Sequence, residues 1–210
     1  MGRRIQPMGA AEAEGSTCRL NVHRFLPLTQ AEGPGWRSCV WVQGCSRHCE
    51  GCFAPHTWSH EPRLLMRPEE VVAQTLKDER VEGITVLGGE PFEQPEPLAT
   101  LLTLAWEARL STVVFTGFTH KQLLDNDHPA IKEALSHIDV LIDGPYRQSE
   151  RDLHRPLVGS ANQRFLFLTK RYAMDDFPPN KVEVRIGKDG SIALNGMGPV
   201  ETLVRLMKKL

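Results

Sequence analysis

No stretch of this 210-residue sequence approaches the roughly 18 consecutive apolar residues that a membrane span requires. Nor is there an excess of charge of either sign. The formal net charge is -1 and the pI about 6.7, so no global field draws the chain to nucleic acid or to an anionic membrane. No apolar segment follows Arg3 and Arg4, so no signal peptide is expected, and no internal repeat is visible. Cysteine is scarce, with five residues, and their distribution suits a metal site in a reducing cytoplasm better than a secreted disulfide framework. What remains is an ordinary globular composition, 40% hydrophobic, long enough to bury a full core. The expectation is a mobile tail over residues 1–17, rich in Gly, Ala and Glu, and a single domain over 18–210.

The most informative scarcity is local. Cys45-Ser46-Arg47-His48-Cys49-Glu50-Gly51-Cys52 carries three cysteines spaced C-x3-C-x2-C, and the other two, Cys18 and Cys39, fall outside that pattern. Iron–sulfur clusters usually take four cysteines, as do many structural zinc sites. Three thiolates on a four-iron cubane leave one iron open to a small molecule. A zinc knuckle completed by His48, His56 or His60 is the other reading, and spacing alone leaves both open.

Elsewhere the pattern is that of a parallel sheet covered by helices. Leu20 to Phe25 alternates like a half-exposed strand, and a Gly33-Pro34-Gly35 turn leads to Arg37 at the mouth of the next strand, Ser38 to Gln43, with Cys39 in the core. Residues 55–65 have no period and read as a surface run. Pro68 starts an amphipathic helix reaching about Arg80, and Leu98, Leu101, Leu102, Ala105 and Trp106 mark a second. Ile84–Leu87, Thr112–Thr116 and Val140–Ile142 are apolar strands, with short helices near 121–124 and 130–136. Further on come a strand at Phe165–Leu168, a hairpin around Gly187-Lys188-Asp189-Gly190, and a helix carrying Val200, Leu203, Val204 and Met207. Trp36, Trp41 and Trp58 read as core or interface residues, and the arginines around Arg151 as solvated or ion-paired. The cysteine loop, Gly88–Pro91, Thr116-Gly117 and Asp143-Gly144 each follow a strand. Ligands of parallel α/β sheets gather at such carboxyl ends.

These landmarks carry a resemblance. The cysteine triplet after the first core strand, joined to Gly88-Gly89-Glu90-Pro91 after a later one, resembles the radical S-adenosylmethionine (SAM) superfamily. Gly33-Pro34-Gly35-x-Arg37, Gln43-Gly44-Cys45, Thr116-Gly117-Phe118, Asp143-Gly144-Pro145 and Gly159-Ser160-Ala161-Asn162-Gln163 are similar, in the same order, to landmarks of glycyl-radical-enzyme activases of the anaerobic ribonucleotide reductase group. The resemblance implies a partial (β/α) barrel of mostly parallel sheet, with Cys45, Cys49 and Cys52 holding a [4Fe–4S] cluster whose open iron binds SAM. It further implies that Gly88, Gly89, Glu90 and Pro91 meet the SAM amino group, that Gly51 and Phe53 lie against its adenine, and that Thr116 and Gly117 belong to the same site. On that view a branched side chain at Gly89 would weaken SAM binding and spare the cluster, which sits on another strand end.

The function so implied is reductive cleavage of SAM to a 5′-deoxyadenosyl radical, used to activate a glycyl radical enzyme, with an external electron donor of flavodoxin or ferredoxin type. No side-chain acid or base is required, since the cofactors carry the hard chemistry. The same cleavage directed at a small molecule or peptide is the second reading. A non-catalytic iron–sulfur or zinc-binding module is the third.

Overall fold

The structure is a computed structural model that describes residues 18–198. The expected amino-terminal tail and carboxyl-terminal helix lie outside the described residues. Strands β1 (Leu20–Thr29), β2 (Arg37–Val42), β3 (Leu64–Met66), β4 (Gly83–Gly88), β5 (Ser111–Phe115), β6 (Val140–Asp143) and β7 (Arg164–Phe167) form one sheet in the order β3-β1-β2-β4-β5-β6-β7. The central four, β2, β4, β5 and β6, run parallel, and antiparallel strands flank them on both sides. Helices α1 (Pro68–Thr75), α2 (Pro95–Glu107), α3 (His120–Leu124) and α4 (Pro129–Ser136) fill the crossovers. The α/β class with a parallel centre is as the sequence implies, and with β3 and β7 as its outer strands the sheet is an incomplete barrel.

The two faces of the sheet differ. Val40, Val42, Ile84, Val86, Val114 and Leu141 pack with Leu98, Leu101, Leu102 and Ala105 of α2, Val71 and Val72 of α1 and Ile131 of α4. Val113, Val140 and Ile142 lie in a second cluster with Leu157, Val158 and Phe177 from the irregular chain after β6. A separate hairpin, β8 (Val182–Ile186) and β9 (Ile192–Gly196), follows.

Four expectations change. β1 runs on to Thr29 through Pro27, because a register shift between Leu26 and Thr29 accommodates a residue with no N–H to give. Residues 55–65 are not merely a surface run, since Leu64 opens the short edge strand β3. Helix α1 stops at Thr75 because Asp78 turns the chain, accepting from the Arg80 amide at 3.1 Å and its guanidinium at 2.7 Å. Trp106 is 61% exposed and off the apolar stripe, its ring meeting His137 edge-on at 5.5 Å.

At the amino end of the parallel strands sits Arg37, fully buried. Its Nε donates to Thr85 Oγ1 at 2.8 Å, Nη1 to Ser111 Oγ at 2.9 Å, and Nη2 to the carbonyls of Ile84 at 2.8 Å and Ser111 at 3.1 Å. One side chain thus ties β2, β4 and β5 together. Burial pulls its pKa down, and its charge is met by carbonyls and hydroxyls rather than by a carboxylate. Arg37→Met leaves those acceptors buried without a donor, at about 1–3 kcal/mol each. The expected loss is about 3 kcal/mol or more of unfolding free energy, read from urea denaturation; a loss below about 1 kcal/mol would contradict this role.

Candidate functional site

Because β2, β4, β5 and β6 are parallel, the segments that follow them leave the sheet at one edge. They line a single cavity of about 540 Å³. Its wall includes Cys45, Cys49 and Cys52 from beyond β2, Gly88, Gly89 and Glu90 from the end of β4, Thr116 and Gly117 from beyond β5, and Gly144 from beyond β6.

The cysteine loop is held from several sides. Gly44 and Cys45 donate to the carbonyls of Thr57 and Trp58 at 2.8 and 3.1 Å, and the Cys52 amide closes back on the Cys49 carbonyl at 3.1 Å. Glu93 accepts from the Ser46 amide at 2.9 Å. All three thiols are half-buried and outside any disulfide. Burial pushes the Cys45 thiol up, with Glu90 and Glu93 adding to it; a bound metal would reverse that balance and hold the thiolate.

The histidines that could complete a zinc knuckle differ in their contacts, and His56 lines the same cavity as the cysteines. His48, in a left-handed conformation (φ 44°), stacks on Trp58 with ring centroids 4.7 Å apart. His60 pairs with Glu93 at 2.9 Å, and His56 lies 4.7 Å from the His23 ring. Among the described residues, no three His, Cys, Asp or Glu side chains surround one point closely enough for a single ion. A lone zinc needs such convergence, at sulfur distances of about 2.3 Å. A cubane takes each cysteine at a different iron corner, and all three thiols line the one cavity.

Gly88 and Gly89 are glycine for a reason the sequence did not reveal. A Cβ on Gly89 would stand 2.2 Å from the Gly44 carbonyl oxygen, and one on Gly88 would stand 2.8 Å from backbone atoms of Trp41 and Val42. The Gly89 amide donates to the Val42 carbonyl and the Glu90 amide to the Gly44 carbonyl, both at 2.8 Å. The expectation that a branched residue at Gly89 would spare the cysteine loop is therefore corrected. The two loops are one unit, and the clash falls on the residue before Cys45.

Glu90 is 1% exposed. One carboxylate oxygen accepts from Thr116 Oγ1 at 2.8 Å and the Phe92 amide at 3.1 Å, the other from the Gly117 amide at 2.8 Å. It spans the ends of β4 and β5, and burial pushes its pKa up to about 7 against those hydrogen bonds.

The remaining predicted residues divide. Phe53 is on the wall, with its ring 5.1 Å from Tyr146 and Arg151 above it at 5.9 Å. Gly51 and Pro91 are off it: Gly51 packs on the Gln148 side chain, and Pro91 is buried at the start of a short 3-10 turn. Asp143 is fully buried, pairing with Arg164 at 2.5 Å and accepting from the His120 amide at 2.7 Å, so it braces its loop. Arg147 and Arg155 pair with Glu150 and Asp152 at 2.7 and 3.0 Å, in line with an ion-paired reading.

Several wall residues carried no sequence signal. Trp41 and Trp58, read as core or interface, face the cavity. Arg47, inside the cysteine spacing, lies over the Phe118 ring at 4.8 Å and against Gly117, with its Nε buried and unbonded. Arg24, Glu32 and residues 194–198 also line the wall.

The family described as "4Fe-4S single cluster domain" matches residues 31–166. The anaerobic ribonucleoside-triphosphate reductase-activating protein of Vibrio cholerae is 32% identical over 153 residues, covering 69% of this chain and 96% of its own. Its counterparts in Pasteurella multocida and Escherichia coli K12 are 33% and 30% identical, again over 69% of this chain and over 95% and 96% of theirs. The solved structure of QueE from Escherichia coli superposes on 49% of this chain and 54% of its own, at 18% identity and a TM-score of 0.42, too slight a likeness to bear weight. With a cluster-domain match across most of its length and relatives that it spans almost from end to end, the chain belongs to the family of anaerobic ribonucleoside-triphosphate reductase-activating proteins.

Proposed function

We propose that this chain is a radical SAM activase that installs a glycyl radical in a large partner enzyme of the anaerobic ribonucleotide reductase type. The observation that carries this reading is that the cysteine triplet, Gly88–Glu90 and Thr116–Gly117 line one cavity, the first two loops joined through the backbone at Val42 and Gly44 and the third through the Glu90 carboxylate. Cys45, Cys49 and Cys52 hold a [4Fe–4S] cluster. Reduced by one electron and with SAM bound, such a cluster would supply a 5′-deoxyadenosyl radical, with methionine as the leaving group.

The protein's own work is positioning and exclusion. Gly88 and Gly89 offer main-chain carbonyls to the SAM ammonium, and Glu90, bonded to Thr116 and Gly117, keeps that edge in shape. Trp41, Phe53, Trp58, Leu87 and Phe115 give the cavity apolar walls that exclude water and stray hydrogen donors. No group on the wall has to move a proton. The electron comes from an external donor of flavodoxin or ferredoxin type, and the reaction belongs in the reducing cytoplasm that free thiols favour. Among the described residues no helix is long and apolar enough to cross a membrane.

Four outcomes test this. Anaerobic reconstitution should load about four irons per chain, and Cys49→Ala should abolish the cluster absorption; one tetrahedral zinc and no cluster would overturn the metal assignment. Thr116→Val removes the hydroxyl that donates to Glu90 and accepts from the Phe118 amide. It should weaken SAM binding about tenfold, near the worth of one hydrogen bond to a charged group, at unchanged iron content. Gly89→Val should lose iron and SAM affinity together, and a variant that keeps full iron would contradict the bonding of the two loops. Finally, the partner enzyme mixed with this protein, reductant and SAM should show a doublet glycyl signal by electron paramagnetic resonance. SAM cleavage without that signal would move the chemistry to a smaller substrate.

A further inference from the structure

The family match ends at residue 166, and the β8–β9 hairpin lies beyond it. In the hairpin register Val184 faces Leu194 and Ile186 faces Ile192, so these four share one side with Val182. Glu183, Arg185, Ala193 and Asn195 share the other.

The polar side is the docked one. Glu183 accepts from Thr29 Oγ1 at 2.9 Å and the Gln30 amide at 2.7 Å, Asn195 Nδ2 donates to Thr29 Oγ1 at 2.9 Å, and Arg185 donates to the Leu28 carbonyl. The backbone adds two bonds, Arg24 Nη1 to the Leu194 carbonyl at 3.1 Å and the Gly196 amide to Glu32 at 2.7 Å. The apolar side is turned outward, with Val184 41%, Ile186 67% and Ile192 45% exposed. A hairpin clamped by its polar face, presenting its apolar one, inverts the usual arrangement. The outward stripe is continuous with the reaction cavity, because Leu194, paired with Val184, is part of the cavity wall.

We infer that this stripe is the docking surface for the partner's glycine-bearing segment, an extended polypeptide whose apolar side chains flank the glycine. The inference rests on the activase reading above. Apolar residues next to the glycine settle on Val184, Ile186 and Ile192, and Leu194 marks where the segment turns into the cavity. The hairpin lies outside the matched region, and its exposed residues Val184, Ile186 and Ile192 are apart from the cysteine and glycine loops, so on this inference they bear on the polypeptide and not on the cofactors.

The test is Ile186→Glu/Ile192→Glu in the full, cluster-loaded chain, with Ile186→Leu/Ile192→Val as the conservative control. Iron content, SAM affinity and melting temperature should match wild type. The KM for the partner in glycyl-radical formation should rise about tenfold or more at nearly unchanged kcat, and the control should restore it. An unchanged KM overturns the proposal. So does a melting temperature that falls by several degrees, which would mean the stripe is covered within the chain, or a wild-type dimer that the double variant splits, which would make a second copy the occupant. A wild-type chain that cleaves SAM but never yields a glycyl radical would refute the activase reading and this occupant together. A working wild type with an indifferent double variant would refute the hairpin alone.

Discussion

Two backbone hydrogen bonds, from the Gly89 amide to the Val42 carbonyl and from the Glu90 amide to the Gly44 carbonyl, fix the reacting edge of this protein. They continue the parallel β2–β4 ladder past its last residues, so the loop carrying the cysteines and the loop carrying the glycines cannot drift apart. No side chain fits between them, and a Cβ at Gly89 would overlap the Gly44 oxygen. The glycines therefore serve the protein's own backbone as well as any ligand. Glu90 extends the same unit to the end of β5 through Thr116 and Gly117, and Glu93 returns to Ser46. The cysteines and the glycine turn therefore keep fixed positions on one cavity wall.

That edge is only as steady as the register beneath it. Arg37 supplies the register at the opposite end, a buried cation shared among β2, β4 and β5. A guanidinium with five donors in a rigid fork suits this better than any apolar residue, because the acceptors around it are carbonyls and hydroxyls with fixed positions. The arrangement supplies specificity of alignment at a desolvation cost, and a one-residue slip in a parallel sheet would send every cavity-facing residue to the helix side.

Much of this was legible because parallel strands advertise themselves. Ile84–Leu87 is apolar but for Thr85 and Val140–Ile142 is apolar throughout, and glycine or a polar turn follows each, so the carboxyl edge could be assembled from sequence. The cysteine spacing left a cluster and a zinc knuckle open, and Gly88–Pro91 beside it carried the resemblance that named the chemistry. What could not be read was contact across the fold. Glu90 looks like a ligand residue in a Gly-Gly-Glu-Pro run, yet its hydrogen bonds go to Thr116 and Gly117, 26 and 27 residues on. Trp41 belongs to a strand whose alternate residues face helices, and only the tertiary structure shows its own side to be the cavity. Arg47 hid among the variable positions of the spacing. Strand β3 is three residues long with Leu64 and Leu65 nearly half exposed, too short for any period to register.

The two faces of the sheet divide the labour of the molecule. Helices α1, α2 and α4 seal one face with a continuous apolar core, so nothing about the reaction can be adjusted there without repacking it. The other face is covered piecemeal, by Leu157, Val158 and Phe177 over β5 and β6 and by chain bonded to β1 at the far side. Between these pieces the cavity stays open over Trp41, Leu87 and Phe115. A radical formed at the carboxyl edge needs a neighbour to quench it productively, and the face that is assembled from separable pieces is the one where that neighbour can be chosen. Changing a piece there alters what reaches the cavity and leaves the β2–β4 bonding at its edge intact.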